Sequence, residues 1–305
     1  MTWGKLVESV PNISEGRRRS VVEHVAAAAK GSGRKVIDIS SDPDHNRSVI
    51  TVVGQPEKLA DGIFNLAKAA VETIDLRGHS GAHPRMGAVD VIPFVPIRGV
   101  AMSDCISLSE EVGSRIAEQL GVPVYLYEES ARLNERRNLA AVREGEFEGL
   151  TMKLADPDWK PDFGELHPHP SAGAVAVGAR EFLIAYNINL DTADLKVAKE
   201  IARITRFSSG GLPYVKALGL SLEEKGITQV SMNLTNFKKT PILQVFNVVQ
   251  REAARRGVSV IESEIVGKIP RQALYDVAAS TLSVEDPLSG MVLEDEIEKA
   301  IAEDW

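Results

Sequence analysis

Apolar and polar positions along this chain repeat one order twice. In the first part, Leu6 to Ile13 reads as a strand ending at Ser14-Glu15-Gly16, and Arg17 to Lys30 carries alanines and valines at helical period. Lys35 to Ser40 and Ser48 to Val53 are β-branched runs across a turn-forming stretch, Ser41 to Asn46. Pro56 to Ile74 returns to helical period, with Pro56 suited to a first turn, and Val89 to Ile97 is an apolar strand. The order returns from Phe182 to Leu190. A helix from a Thr192 or Asp194 cap to Ile204 follows, then strands Val215 to Leu220 and Ile227 to Leu234. A helix from Pro241 to Arg256 closed by Gly257 and a strand from Val258 to Val266 complete it, with a further helix from Pro270 to Ala279. This predicts an α/β (α+β) chain of two subdomains, 1–179 and 180–305. Each is built on a ferredoxin-like βαββαβ unit with a mainly antiparallel sheet.

The middle section breaks that order. Ser103 to Leu120 is helical, Val122 to Tyr127 strand-like, and Asn134 to Arg143 a short basic helix. Leu154 to Gly178 is rich in Pro, Gly, Asp and His and reads as unstructured, and an unstructured stretch of that length inside a compact domain reads as a binding segment rather than a linker. Glu294 to Trp305 reads as an acidic helix.

Candidate chemistry concentrates between Arg77 and Asp90, where Arg77, His79, His83 and Arg85 stand on turn formers that feed the last strand of the first unit. Histidine titrates near neutrality and arginine presents a fixed fork to carboxylates. The four-residue spacing of His79 and His83 suits a metal on a helix, but Ser80-Gly81 and Pro84 oppose a helix. A metal would also need a third ligand, from Asp38, Asp42, Asp44 or His45. Ser14 is placed to cap the first helix, whose amides would favour an anion. His167 and His169 form a second pair on a proline-stiffened loop, while Asn187, Asn189, Asn233 and Asn236 put amides at strand positions of the second unit.

Composition narrows the class. A net charge of -8 argues against nucleic acid as a partner, and 5% aromatics leaves little for a sheet that stacks RNA bases. The single cysteine, Cys105, excludes an internal disulfide framework and reads as apolar filler. With neither an apolar leader core nor a membrane-length run, cytoplasmic residence and no membrane partner are expected.

Three long motifs carry a resemblance: Val10-Pro11-Asn12-Ile13-Ser14-Glu15-Gly16, Gly81 through Asp90, and Gly178 through Leu190. Together they closely resemble the glutamate formimidoyltransferases, including the transferase part of formimidoyltransferase-cyclodeaminase, in order from about Leu6 to Ala279. The resemblance implies transfer of a formimino group from N-formimino-L-glutamate to N5 of tetrahydrofolate in histidine breakdown. It also implies two α/β subdomains flanking a charged cleft, and a homodimer. Tetrahydrofolate would be a co-substrate and no metal is expected. The second histidine of the family's His-X-Gly-X-His-Pro-Arg motif is the catalytic base, here His83. Folate is expected along Gly164, Glu165, Leu166, His167, Pro168, His169, Pro170, Ser171, Ala172 and Gly173, although the family varies at 167–169. Beside the resemblance, Arg85 and Arg77 are natural forks for substrate carboxylates, with His79 at the same site. Asp38 could orient His83 or steady the amidine carbon. Cyclodeaminase activity is not expected of this polypeptide. The alternatives are formyl transfer from N-formylglutamate, a metal-dependent amidine hydrolase using His79, His83 and an aspartate, and a non-enzymatic ferredoxin-like binding module.

Overall fold

A computed structural model describes residues 4–285 and 288–303, and the chain divides after Glu181 into two compact units. In the first, the expected opening strand is two, β1 (Leu6–Ser9) and β2 (Asn12–Ile13). The break falls at Val10-Pro11, because proline has no N–H to give the ladder. Then come α1 (Arg19–Ala28), β3 (Arg34–Asp42), β4 (Arg47–Gly54), α2 (Pro56–Thr73) and β5 (Val89–Arg98). β1 and β2 lie between β4 and β5, β3 flanks β4, and all these pairings are antiparallel. Val22, Val25 and Ala26 of α1 and Leu59, Ile63, Leu66 and Ala70 of α2 fall at helical spacing and are buried against the sheet. Each buried valine, leucine or isoleucine side chain among them contributes about 1.5–3 kcal/mol.

The middle section extends this sheet. After α3 (Met102–Leu120) and β6 (Val124–Glu128) the chain forms α4 (Leu139–Arg143), α5 (Glu146–Ala155) and β7 (Val175–Ala179). β7 inserts between β5 and β6, parallel to both. Two expectations are corrected here. The basic stretch 134–143 is a 3-10 turn at Asn134–Arg137 followed by α4, because the Asn138 side chain accepts the Ala140 amide and starts a new helix. The Pro/Gly-rich stretch 154–178 begins in a helix and ends in a strand. β7 is short, small-residued and buried at every position, so it shows no alternation to read. One face of the extended sheet packs on α1, α2 and α3. The other packs Val91, Tyr125, Tyr127 and Ala176 against Val142, Leu150 and Leu154 of α4 and α5. The first unit is therefore layered on both sides of its sheet.

The second unit has the bare βαββαβ order: β8 (Ile184–Leu190), α6 (Leu195–Thr205), β9 (Val215–Leu222), β10 (Ile227–Leu234), α7 (Ile242–Ala254) and β11 (Val260–Val266). Its sheet runs β11-β8-β10-β9, wholly antiparallel. The Asp194 side chain caps α6 by accepting the Lys196 amide, and Gly257 follows α7 at φ +69°. α8 (Arg271–Leu282) and α9 (Leu293–Glu303) complete the described chain, the last two residues of the expected acidic helix lying outside it. Among the described residues no helix is long and apolar enough to cross a membrane.

Candidate functional site

The connection between α2 and β5, residues 74–88, is folded onto the β3–β4 turn. Leu76 is buried and anchors a 3-10 turn, Leu76–Gly78, capped by the Asp75 carboxylate accepting the Arg77 amide. The Arg77 guanidinium closes on the same carboxylate at 2.6 and 2.9 Å, and both side chains are exposed. His79 Nε2 donates to the Asn46 carbonyl at 3.0 Å, and its Nδ1 accepts from Arg85 Nε at 3.1 Å, so both ring nitrogens are committed to holding the loop. Burial lowers the His79 pKa, partly offset by the Asn46 carbonyl. The Ala82 amide donates to the Asp44 carbonyl. A Cβ on Gly81 would stand 2.3 Å from the His45 carbonyl oxygen, so this close approach needs glycine.

His83 lies half-buried at the end of that loop. Its Nδ1 is 2.7 Å from the Pro84 carbonyl oxygen, which can only accept and so favours the tautomer with the proton on Nδ1 and the lone pair on Nε2. Arg47 Nη1 stands 3.1 Å from the same Nδ1 and donates to Asp90 Oδ2 at 2.8 Å. Arg143, from the last turn of α4, pairs with that oxygen at 2.6 Å, while Asp90 Oδ1 accepts the Met86 amide at 3.0 Å. The Lys153 ammonium fixes the end of α4 by donating to the carbonyls of Ala141, Val142 and Glu144. The electrostatics follow from burial and charge. Burial first, then Arg47 and Arg143, bring the His83 imidazole down to about 3. Burial would raise Asp90, but the two guanidiniums and the Met86 amide hold it at about 2. Burial pulls Arg47 down to about 10 against the opposing pull of Asp90. The ring at this site is therefore a neutral imidazole at neutral pH.

Arg85 is buried and fully engaged. Nη1 donates to Glu146 at 3.1 Å and Glu148 at 2.8 Å, Nη2 to Glu148 at 2.6 Å and the His79 carbonyl at 3.3 Å, and Nε to His79. These contacts use all five donors of the fork. The end of the expected folate segment comes to the same loop through the main chain. Leu76 donates to Ser171, Ala88 to Ala172 and Ala174 to Met86, with Gly87 bridging Gly173. A Cβ on Gly173, whose φ is +68°, would stand 2.1 Å from the Met86 carbonyl oxygen. His169 and Gly173 exchange backbone bonds, and His169 Nδ1 accepts the Ala172 amide at 3.0 Å. Gly164, Glu165, Leu166 and His167 are exposed.

A polar cavity of about 310 Å³ lies on the other flank of the loop, with Glu15, Arg17, Arg18, Asn46, Asp75 and His79 in its wall. The α1 end of this cavity corrects an expectation. Ser14 does not cap the helix, because its hydroxyl donates to the Gly87 carbonyl at 2.7 Å. The amides of Arg17 and Arg18 are taken instead by Glu15 Oε1 at 2.9 and 2.8 Å. Burial would raise the Glu15 pKa, but these amides and the Arg18 guanidinium hold it below the usual value.

Of the residues singled out in the sequence, the structure brings together His79, His83, Arg85 and Ser171–Gly173, with Arg77 on the adjoining turn. Asp38 pairs with Thr51 on β3, whereas Asp42 pairs with Arg47. Four residues of strand, roughly 13 Å, separate Asp38 from the Arg47 end. Among the described residues no three His, Cys, Asp or Glu side chains converge as a metal site. Asn187 and Asn189 sit mid-strand, donating to Glu264 and Glu262, and Asn189 also accepts from Gln229. Cys105 is a buried core residue, its thiol pushed up to about 12 by burial. Sequence reasoning missed Arg47, Arg143, Glu146 and Glu148 as partners of the loop. For Asp90 the signal was present: an acid opening an otherwise apolar strand, where a lone charge must find a counter-charge.

Comparison with known proteins bears directly on this arrangement. The N-terminal subdomain of the formiminotransferase domain matches residues 6–180, and the formiminotransferase domain matches residues 185–303. A glutamate formimidoyltransferase of Streptococcus pyogenes serotype M1 is 49% identical over 283 residues, 92% of this chain and 95% of its own. One from Thermoplasma acidophilum is 48% identical, covering 97% and 98%. The formimidoyltransferase-cyclodeaminase of Sus scrofa is 44% identical over 90% of this chain and 52% of its own. With both subdomains matched in order, and relatives near half-identical along almost their whole length, the chain belongs to the formiminotransferase family.

Proposed function

We propose that this protein moves the formimino group of N-formimino-L-glutamate to N5 of tetrahydrofolate, releasing L-glutamate, with His83 as general base. The observation that carries this reading is the setting of His83: its Nδ1 lies 2.7 Å from the Pro84 carbonyl oxygen, a contact that favours the tautomer with the lone pair on Nε2. The N5 amine attacks the amidinium carbon, and the new N–C bond makes the N5 proton acidic. Nε2 takes that proton and returns it to the glutamate nitrogen as the old C–N bond breaks. One imidazole thus serves both steps, and neither a metal nor a covalent intermediate on the protein is required.

Most of the remaining site residues take supporting parts in the same reading. Folate lies along Gly164–Gly173, whose last residues zip to the loop. Arg85 binds a substrate carboxylate by exchanging it for Glu148, whose side chain is 64% exposed. Arg77 does the same by releasing Asp75, and His79 keeps the loop in place. Asp38, four residues along β3 from the Arg47 end, takes no part in this reading. The family reading also carries a cytoplasmic homodimer acting in histidine breakdown.

The test is an assay with formiminoglutamate and tetrahydrofolate, and N-formyl-L-glutamate as the comparison donor. Changing His83→Gln is expected to lower kcat about 10²–10⁴-fold with the protein still folded by circular dichroism. Equal rates for the two proteins would remove His83 as the base.

A further inference from the structure

The charges against His83 do not balance. Arg47 and Arg143 are 10% and 15% exposed, and the single carboxylate between them, Asp90, is wholly buried. Asp90 gives one oxygen to both guanidiniums and the other to the Met86 amide. The cluster therefore keeps one positive charge where water is largely excluded. Arg143 Nε is buried and has no hydrogen-bond partner. An unpaired buried N–H and an unbalanced buried cation both cost free energy that an incoming anion removes.

We propose that Arg47 and Arg143 form a carboxylate receptor that docks the glutamate end of the donor beside His83. This rests on the transfer reaction proposed above. Both substrates carry carboxylates, and position favours the donor. Its α-carboxylate is attached to the carbon that bears the leaving nitrogen, so a carboxylate held here puts that nitrogen within reach of the imidazole. The tail carboxylates of folate lie far from N5, beyond the aminobenzoyl ring.

The receptor has a consequence for the base. The groups facing His83 are Arg47 from β4, Arg143 from α4, Asp90 from β5, the Pro84 carbonyl, and His45 from the β3–β4 turn, with ring centroids 5.8 Å apart and Asp42 beside it. A bound carboxylate cancels the excess positive charge of Arg47 and Arg143 over Asp90, so the imidazole becomes a better proton acceptor when the donor is in place. The coupling is reciprocal: protonating the ring tightens carboxylate binding.

The experiment reads the His83 ring by histidine side-chain NMR in the full chain between about pH 4.5 and 8, alone and with saturating L-glutamate. Pteroic and folic acids, which differ by the glutamate tail, form the second arm. The ring is expected to stay neutral throughout alone, and to begin protonating within that window when L-glutamate is present. In R143Q that response should vanish. The same variant should raise the donor KM roughly 10- to 100-fold and leave the tetrahydrofolate KM within about twofold, with R143K recovering part. A His83 signal indifferent to glutamate, or one moved by folic acid and not by glutamate, overturns the proposal. So does an R143Q that raises only the tetrahydrofolate KM. If R143Q does not fold, the wild-type titration and R143K decide. A wild-type protein that transfers no formimino group fails the reaction, whereas the glutamate titration reads the receptor without turnover.

Discussion

The two units share one strand order and differ in what their connections hold. In the second, α7 passes to β11 through residues 255–259, and β9 turns to β10 through Glu223–Gly226. In the first, the matching connections are residues 74–88, which carry His79, His83 and Arg85, and the turn with His45 and Asn46 beneath them. The outer face of β5 differs as well. β11 is largely exposed, while β5 is buried through most of its length by β7 and the second helical layer. That layer supplies Arg143 and lets Asp90 be buried with its counter-charges. A ferredoxin-like sheet with both faces covered can hold unbalanced charge, and one with an open face leaves it to solvent.

This contrast can be broken at several points. Asp90→Asn leaves two buried guanidiniums without a counter-charge and should destabilise the first unit by about 3–5 kcal/mol. Urea unfolding should show the second unit unmoved. A single transition shifted as a whole would show that the units do not unfold separately. Next come two glycines. A Cβ on Gly87 would stand 2.0 Å from the Ala174 carbonyl oxygen, and Gly87→Ala should cost at least 1–3 kcal/mol by overpacking. At Gly226 a Cβ meets nothing within 4 Å and only the φ of +63° is strained, so Gly226→Ala should cost about 1 kcal/mol. Equal losses in thermal melts would show that the Gly87–Gly173 crossing yields readily.

A further effect is one of pH. His83 binds its proton near 6.5 when unfolded and near 3 when folded, so the unfolded chain holds more protons between those values. Its contribution is complete above pH 6.5 and lost as pH falls toward 3, by up to about 1.4 kcal/mol per pH unit. In the second unit, Glu252 is held below its ordinary 4.5 by Arg256 and Arg255, so it weakens only below that pH. The first unit should soften first on mild acidification, and His83→Gln should flatten its slope. An unchanged slope would locate that sensitivity elsewhere.

Much of this contrast was legible in the sequence. The βαββαβ order, the loop and His83 follow from periodicity, turn formers and one motif. Arg47 and Arg143 did not, because an arginine opening a strand and one in a basic stretch both read as solvated. Only the crossing of β4, β5 and α4 buries them on one carboxylate. Arg85 was legible as a fork, but Glu146 and Glu148 sit sixty residues on, at a helix start that periodicity did not reveal. β7 escaped because a short strand of small residues carries no alternation.

Residues 171–174 are stitched to 76 and 86–88 by three peptide-to-peptide hydrogen bonds rather than by side chains. Apart from Gly87 and Gly173, where a Cβ would strike the opposite strip, substituting side chains therefore leaves this seam largely intact, whereas lengthening either strip by one residue throws it out of step. An engineer who grafts the histidine loop onto another scaffold must carry both strips together.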